Sequence, residues 1–143
     1  MNGMTLIVKT ITRLILGFII VFAASIVFYG HITPGGGFAG GVMLACVFIL
    51  LVLAFGKDMA FRIVGEKALS AWDCIGALGF MGIALIGFTQ GVFFKDFLTS
   101  GVPLRLISGG TIMWSNIAIG IKVSASLFAV FVALALFRIN RER

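Results

Sequence analysis

Residues 30–41 of the chain read GHITPGGGFAGG. This stretch separates an apolar run that ends at Tyr29 from another that begins at Phe38, and it contains the only histidine of the chain. Thr33 is a good N-cap residue, and Pro34 suits the first helical position, where a missing N–H costs nothing. The stretch therefore predicts a tight turn followed by a helix from about Gly35.

The glycines of this stretch predict close helix packing. Gly36 and Gly40 are spaced as G-x-x-x-G, and so are Gly37 and Gly41. In membrane helices this spacing lets a second helix approach closely. The unpaired N–H groups at the start of the same helix also lie at the positive end of its dipole, so a carboxylate, water or backbone carbonyl can approach them.

The composition is typical of an integral membrane protein. Apolar residues make up 61% of the 143 residues, charged residues make up 11%, and the mean hydropathy is +1.20. An ordinary soluble domain has about a quarter of its residues charged. The length leaves room for about four spans and excludes an additional soluble catalytic domain. We therefore expect an all-α membrane protein with one domain over residues 1–143.

The apolar runs predict four spans, at approximately residues 5–29, 35–55, 72–94 and 112–137. Most basic residues then fall on one side of the membrane, namely Lys9, Arg13, Lys57, Arg62, Lys67, Arg138, Arg141 and Arg143. Only Lys95 and Arg105 fall on the other side. The positive-inside rule predicts cytoplasmic termini and a multi-pass protein of the cytoplasmic membrane.

Lys122 is the first candidate for an ion pathway, because it falls well inside the predicted fourth span. A lysine at that depth must face protein or water. Ser126 lies one turn further on, on the same small and mildly polar face. Two interpretations are open: Lys122 locks the assembly by pairing with a carboxylate, or it relays protons or ions. Since every acidic residue falls in a loop or at a span end, we expect the carboxylate partner to lie on another chain.

His31 and Asn116 are the other candidates. His31 falls just outside the membrane core, where a group that titrates near neutral pH suits a proton entry or exit point. The alternative is that its side chain only caps the turn. Asn116 falls within the fourth span and can hydrogen-bond across helices, which would be a structural role.

No pattern in the chain predicts catalysis or a cofactor. Cys46 and Cys74 fall at different depths and have no metal-ligand spacing. A single interfacial histidine cannot supply the axial pair of a bis-histidine haem. No nucleophile–base pair and no phosphate-binding loop is recognisable. We therefore expect no catalytic residue, metal or cofactor in this chain, and we expect no enzyme activity of its own.

Two segments carry a family resemblance. The first is Gly30-His31-x-x-Pro34-Gly35-Gly36-Gly37-Phe38-x-Gly40-Gly41, and the second combines Ser108–Ile112 with Asn116–Val123. They resemble the MnhB family, whose members are membrane subunits of multisubunit Mrp-type Na⁺/H⁺ antiporters. The same family supplies a membrane subunit of membrane-bound hydrogenases and related sulfur-reducing complexes.

The resemblance implies a membrane subunit of a cation/proton antiporter module. It implies partners among the other antiporter subunits and, in hydrogenase-type complexes, redox subunits that hold the metal centres. Lipid, Na⁺ and H⁺ are the other expected partners, and nucleic acid is not. Two alternatives remain: a scaffold subunit without an ion path, or an autonomous four-span exporter. Such exporters typically use a carboxylate in the first span, which this chain lacks.

Overall fold

The computed structural model describes residues 4–56, 65–89, 91 and 109–141, and four long helices account for most of them. The helices are α1 (Leu6–Tyr29), α2 (Gly37–Phe55), α3 (Glu66–Phe88) and α4 (Thr111–Arg141). Each contains a segment long and apolar enough to cross a membrane. The expected all-α fold, with four helices able to span a membrane, is therefore confirmed over the described residues, whereas the cytoplasmic placement of the termini stays a prediction.

The predicted bounds are close for the first, second and fourth helices but wrong for the third helix. We expected the third span at residues 72–94, but α3 begins at Glu66 and ends at Phe88. Its first two turns carry charged and polar residues, which looked like part of a loop. At the other end the Thr89 N–H bonds the carbonyls of Ile86 and Gly87, and Gly91 has a φ of +82°. This left-handed conformation suits glycine, and the Gly91 N–H donates to the carbonyl of Phe88, the last residue of the helix.

The packing places α4 at the centre. α2 packs against α1 on one side and against α4 on the other, α3 packs against α4, and α1 makes a smaller contact with α4. A buried cluster of Leu69, Ala125 and Phe128 joins α3 to α4. Phe48 of α2 reaches this cluster, with its ring centroid 5.5 Å from that of Phe128. Helix α4 therefore connects all the other helices, and changes on its surface affect more than one interface.

Glycines of α2 form its two interfaces, as the G-x-x-x-G spacing predicted. A Cβ on Gly40 would overlap Val27 of α1. A Cβ on Gly41 would lie 2.8 Å from the carbonyl oxygen of Gly120 and 2.9 Å from Val123 Cβ, both in α4. Because such distances are too short for a real Cβ, the close packing of α2 requires glycine at both positions.

The apolar surface of the isolated chain is extensive, as expected for a membrane protein. Along α1, Leu6, Phe18 and Val21 are 81%, 72% and 71% exposed. The connections between α2 and α3 and between α3 and α4 fall largely on residues 57–64 and 92–108. Those residues, which include Lys57, Arg62, Lys95 and Arg105, lie outside the described part of the chain.

Candidate functional site

The turn between α1 and α2 differs from the predicted capping pattern. The N–H groups of Ile32 and Thr33 and the Thr33 hydroxyl all donate to the carbonyl of Tyr29, at 2.8, 2.9 and 3.1 Å. Thr33 therefore closes the end of α1. The expectation that it caps α2 is wrong. The residue before α2 is Gly36, with a φ of +105° that favours glycine, and Pro34 is exposed in the turn.

Asn116 of α4 lies against the start of α2. Its side-chain Oδ1 accepts a hydrogen bond of 3.3 Å from the backbone N–H of Gly37. A Cβ on Gly37 would overlap the Asn116 carbonyl, and a Cβ on Gly30 would lie 3.0 Å from Asn116 Nδ2. The asparagine thus pairs one of the N–H groups that a helix start leaves unpaired, and glycine at these positions lets it approach.

His31 lies beside the start of α4. A Cβ on Gly109 would lie 2.8 Å from the Cδ2 and Cγ atoms of the half-buried imidazole ring. We call Gly30, His31, Gly36, Gly37, Gly109 and Asn116 together the glycine junction. Both segments that carry the family resemblance contribute to this junction. Two of the predicted site residues, His31 and Asn116, therefore lie at one end of the bundle. Phe38 is exposed on α2, with a relative exposure of 66%.

The glycine junction gives a prediction for Asn116. Asn116→Ala should lower the unfolding free energy of the chain by about 1 kcal/mol or more, because the Gly37 N–H loses its acceptor. Asn116→Asp keeps that acceptor and should lose less. Thermal unfolding of the detergent-extracted protein measures both, with Thr10→Ala as a control, since the Thr10 hydroxyl bonds only the Leu6 carbonyl of its own helix. Equal stability of Asn116→Ala and Thr10→Ala would contradict a structural role for the amide.

Lys122 belongs to a second group on another face of α4. Its Nζ donates to Asp73 Oδ1 at 2.8 Å and to Ser126 Oγ at 3.1 Å. The Ser126 hydroxyl also donates to Asp73 Oδ1. We call Asp73, Lys122 and Ser126 the polar cluster. It joins α3 to α4 where Gly76 lies against the backbone of Lys122.

The carboxylate partner of Lys122 is therefore in the same chain, and the expectation that it lies on another subunit is wrong. The error follows from the start of the third helix. We had placed Asp73 at a span end, but α3 begins at Glu66, so Asp73 lies about two turns inside it. The neighbouring glycine was a usable signal: because Gly76 lets the α4 backbone approach, a lysine side chain of α4 can reach an acid one turn away on α3.

The two groups occupy different faces of α4. Asn116 and Lys122 are six residues apart, which is about 9 Å along the helix and roughly a third of a turn in direction. Asn116 faces α2, whereas Lys122 faces α3. Among the described residues no group of three His, Cys, Asp or Glu side chains could hold a metal ion. The arrangement thus offers one titratable imidazole at an end of the bundle and one ion pair within the spans.

Known proteins resemble this chain over most of its length. A family model described as "Domain related to MnhB subunit of Na+/H+ antiporter" matches residues 7–129. A chain in the structure of the membrane-bound sulfane sulfur reductase, an archaeal respiratory membrane complex, matches with a TM-score of 0.77 and 30% identity. That match covers 91% of this chain and 60% of the other.

Two curated proteins are also similar. An uncharacterized protein of Methanocaldococcus jannaschii is 38% identical over 105 residues, and the match covers 68% of this chain and 40% of that protein. The Staphylococcus aureus (strain Newman) protein named "Putative antiporter subunit mnhB2" is 40% identical over 52 residues, which are 36% of this chain and 37% of that protein. The matches thus span about two fifths of the length of these curated relatives.

Proposed function

The chain belongs to the MnhB family of domains related to an Na⁺/H⁺ antiporter subunit, and on this premise we propose that it is a membrane subunit of a multisubunit cation/proton antiporter module. The family match over residues 7–129 carries the proposal, because it covers α1 except for its first residue, all of α2 and α3, and most of α4. In this module the chain supports both assembly and ion translocation. Its partners are the other membrane subunits, in the cytoplasmic membrane.

The position of the Asp73–Lys122 ion pair supports a functional role in addition to a structural one. An ion pair within membrane-spanning helices is costly to maintain, and such groups commonly mark ion or proton pathways. The Asp73–Lys122 pair lies within the spans of α3 and α4. We assign Lys122 and Ser126 to the ion pathway, with Asp73 as the counter-charge of the lysine. His31 is assigned to a proton entry or exit point at the glycine junction, with Asn116 supporting the adjacent helix start.

A redox-driven module is the second candidate. The observation that favours it is the match to a chain of a respiratory sulfane sulfur reductase complex, which covers 91% of this chain. In such a complex the redox chemistry and its cofactors belong to other subunits. This chain then holds no cofactor and acts only in the membrane part of the assembly.

Purification in mild detergent tests the proposed assembly. A tagged copy, expressed with its neighbouring genes, should co-purify with large antiporter-type membrane subunits that mass spectrometry identifies. Companion hydrogenase-type or sulfur-reductase-type subunits would select the redox-driven module, and their absence would select the stand-alone antiporter. A tagged chain recovered alone, as a small oligomer of itself, would contradict both and favour an autonomous exporter.

The proposed orientation gives a prediction that cysteine labelling can measure. In a background with Cys46→Ser and Cys74→Ser, Thr33→Cys should react with a membrane-impermeant maleimide from outside the cell. Gly65→Cys should react only after the membrane is opened, because the positive-inside rule places the α2–α3 connection in the cytoplasm. Both positions are exposed, so neither is shielded within the chain. The reverse pattern would show that the orientation is wrong.

A further inference from the structure

The polar cluster is only partly covered by the described residues of its own chain. The side chains of Lys122 and Asp73 are 43% and 37% exposed, although both lie within the spans. Lys122 is one residue from the midpoint of the spanning segment Thr111–Ala135. Contact with acyl chains at this depth would be strongly unfavourable for an ammonium and a carboxylate. The exposed side of the cluster therefore needs a polar neighbour.

The unused hydrogen-bonding capacity of the cluster defines that neighbour. Lys122 Nζ has three N–H donors, and the described residues accept two of them. Asp73 Oδ1 accepts two hydrogen bonds, whereas no described group donates to Oδ2. The charges of the pair already cancel. A neighbour that carried a charge would leave that charge uncompensated, so a neutral side chain that both donates and accepts fits the cluster best.

The surface around the cluster allows a helix to approach. On α3 the exposed residues nearest to Asp73 on its own face are small, namely Ser70 one turn before it and Ala77 one turn after it. Large exposed side chains such as Trp72, Ile75 and Leu78 lie on other faces of α3. Small side chains on both sides of a polar group are typical of helix–helix contacts in membranes.

We propose that the α3–α4 seam at the polar cluster is an interface, and that a helix of another membrane subunit covers it and presents a neutral polar side chain to the Asp73–Lys122 pair. This inference rests on the proposed place of the chain in a multisubunit complex. The interface places the ion pair between subunits. Ordered water at the cluster fits the same interface, since only covering protein can separate that water from acyl chains.

Site-specific photo-crosslinking within the assembled complex tests the interface. A benzophenone amino acid replaces Ala77, which lies about 40° around α3 from Asp73, and as a matched control it replaces Leu78, about 140° away. Irradiation of membranes should give an adduct between position 77 and another membrane subunit, at least about fivefold above position 78, because only atoms in near contact react. Ser70 provides a second site on the cluster face if the Ala77 variant does not assemble.

Two results would overturn the inference. One is an adduct at both positions 77 and 70 that contains only lipid, and the other is an equal yield of protein adduct on the cluster face and at position 78. Native gel electrophoresis of the same samples distinguishes a failure of the proposed interface from a failure of the proposed function. A chain that migrates with the complex but gives no protein adduct contradicts the interface alone, whereas a chain that migrates by itself contradicts the proposed function.

Discussion

Replacing Gly37 with alanine is expected to lower clearly the temperature at which the protein unfolds, although it adds a single methyl group. The added Cβ would overlap the Asn116 carbonyl and lie 2.9 Å from its Cα atom. Because the obstacle is backbone, no rotamer change relieves it and α2 must move away from α4. Overpacking of this kind costs about 1–3 kcal/mol. It would also lengthen the hydrogen bond between the Gly37 N–H and Asn116 Oδ1.

Gly17→Ala is the matched control for this prediction. Among the described residues, no atom apart from the adjoining backbone of its own helix lies within 4 Å of a Cβ at Gly17, which is exposed in α1. Alanine there should be neutral or stabilise the helix by up to about 1 kcal/mol. Fluorescence-detected size-exclusion chromatography after a heat step measures both variants as fusions. If they lose folded protein at the same temperature, the close contact between α2 and α4 is not what requires glycine at position 37.

Breaking the Asp73–Lys122 pair should have the second large effect. Lys122→Met leaves a carboxylate without its counter-charge inside the spans. Removing one member of a fully buried pair costs about 3–5 kcal/mol. We expect a smaller loss, about 2 kcal/mol, because both side chains are more than a third exposed within this chain, so a polar neighbour or water there can partly compensate the remaining charge. The loss should appear as a lower yield of assembled complex.

A double variant in which the two residues are exchanged distinguishes the effect of losing the ion pair from the effect of losing either side chain. Asp73→Lys combined with Lys122→Asp keeps both charges in reach of each other, and it should recover at least half of the assembly that each single change removes. Lys67→Met is a control in the first turn of α3, where the lysine is exposed and makes no ion pair with another described residue. Additive losses in the double variant would show that the pair does not couple α3 to α4.

Composition and patterning predicted most of the fold. Four apolar runs of sufficient length predicted an all-α membrane protein. The G-x-x-x-G spacing within residues 30–41 predicted close helix packing, and Gly40 and Gly41 make such contacts. The third helix was placed about six residues too late. Its first turns are polar on the exposed side, and a hydropathy pattern alone does not distinguish such turns from a loop.

The candidate residues were singled out one by one, whereas their contacts with one another were not predicted. Lys122, Ser126, His31 and Asn116 could be singled out because polar side chains stand out in or beside apolar spans. Their partners depend on the register between helices that are far apart in sequence. Asn116 is 79 residues from Gly37, and Lys122 is 49 residues from Asp73. Apart from the glycines, little in a single sequence indicates that register, and Asp73 was placed at a span end because the third span was predicted to begin at residue 72 and not at Glu66.

Sodium-dependent proton movement in everted membrane vesicles tests the central proposal most directly. The vesicles come from a host without its own Na⁺/H⁺ antiporters that expresses the complete set of companion subunits, with or without this chain. With the chain present, added Na⁺ should collapse a preformed pH gradient, as measured with a fluorescent amine. Without it the gradient should persist, and a second plasmid carrying the chain should restore exchange. Undiminished exchange in its absence would contradict the proposal that this subunit is required for antiport.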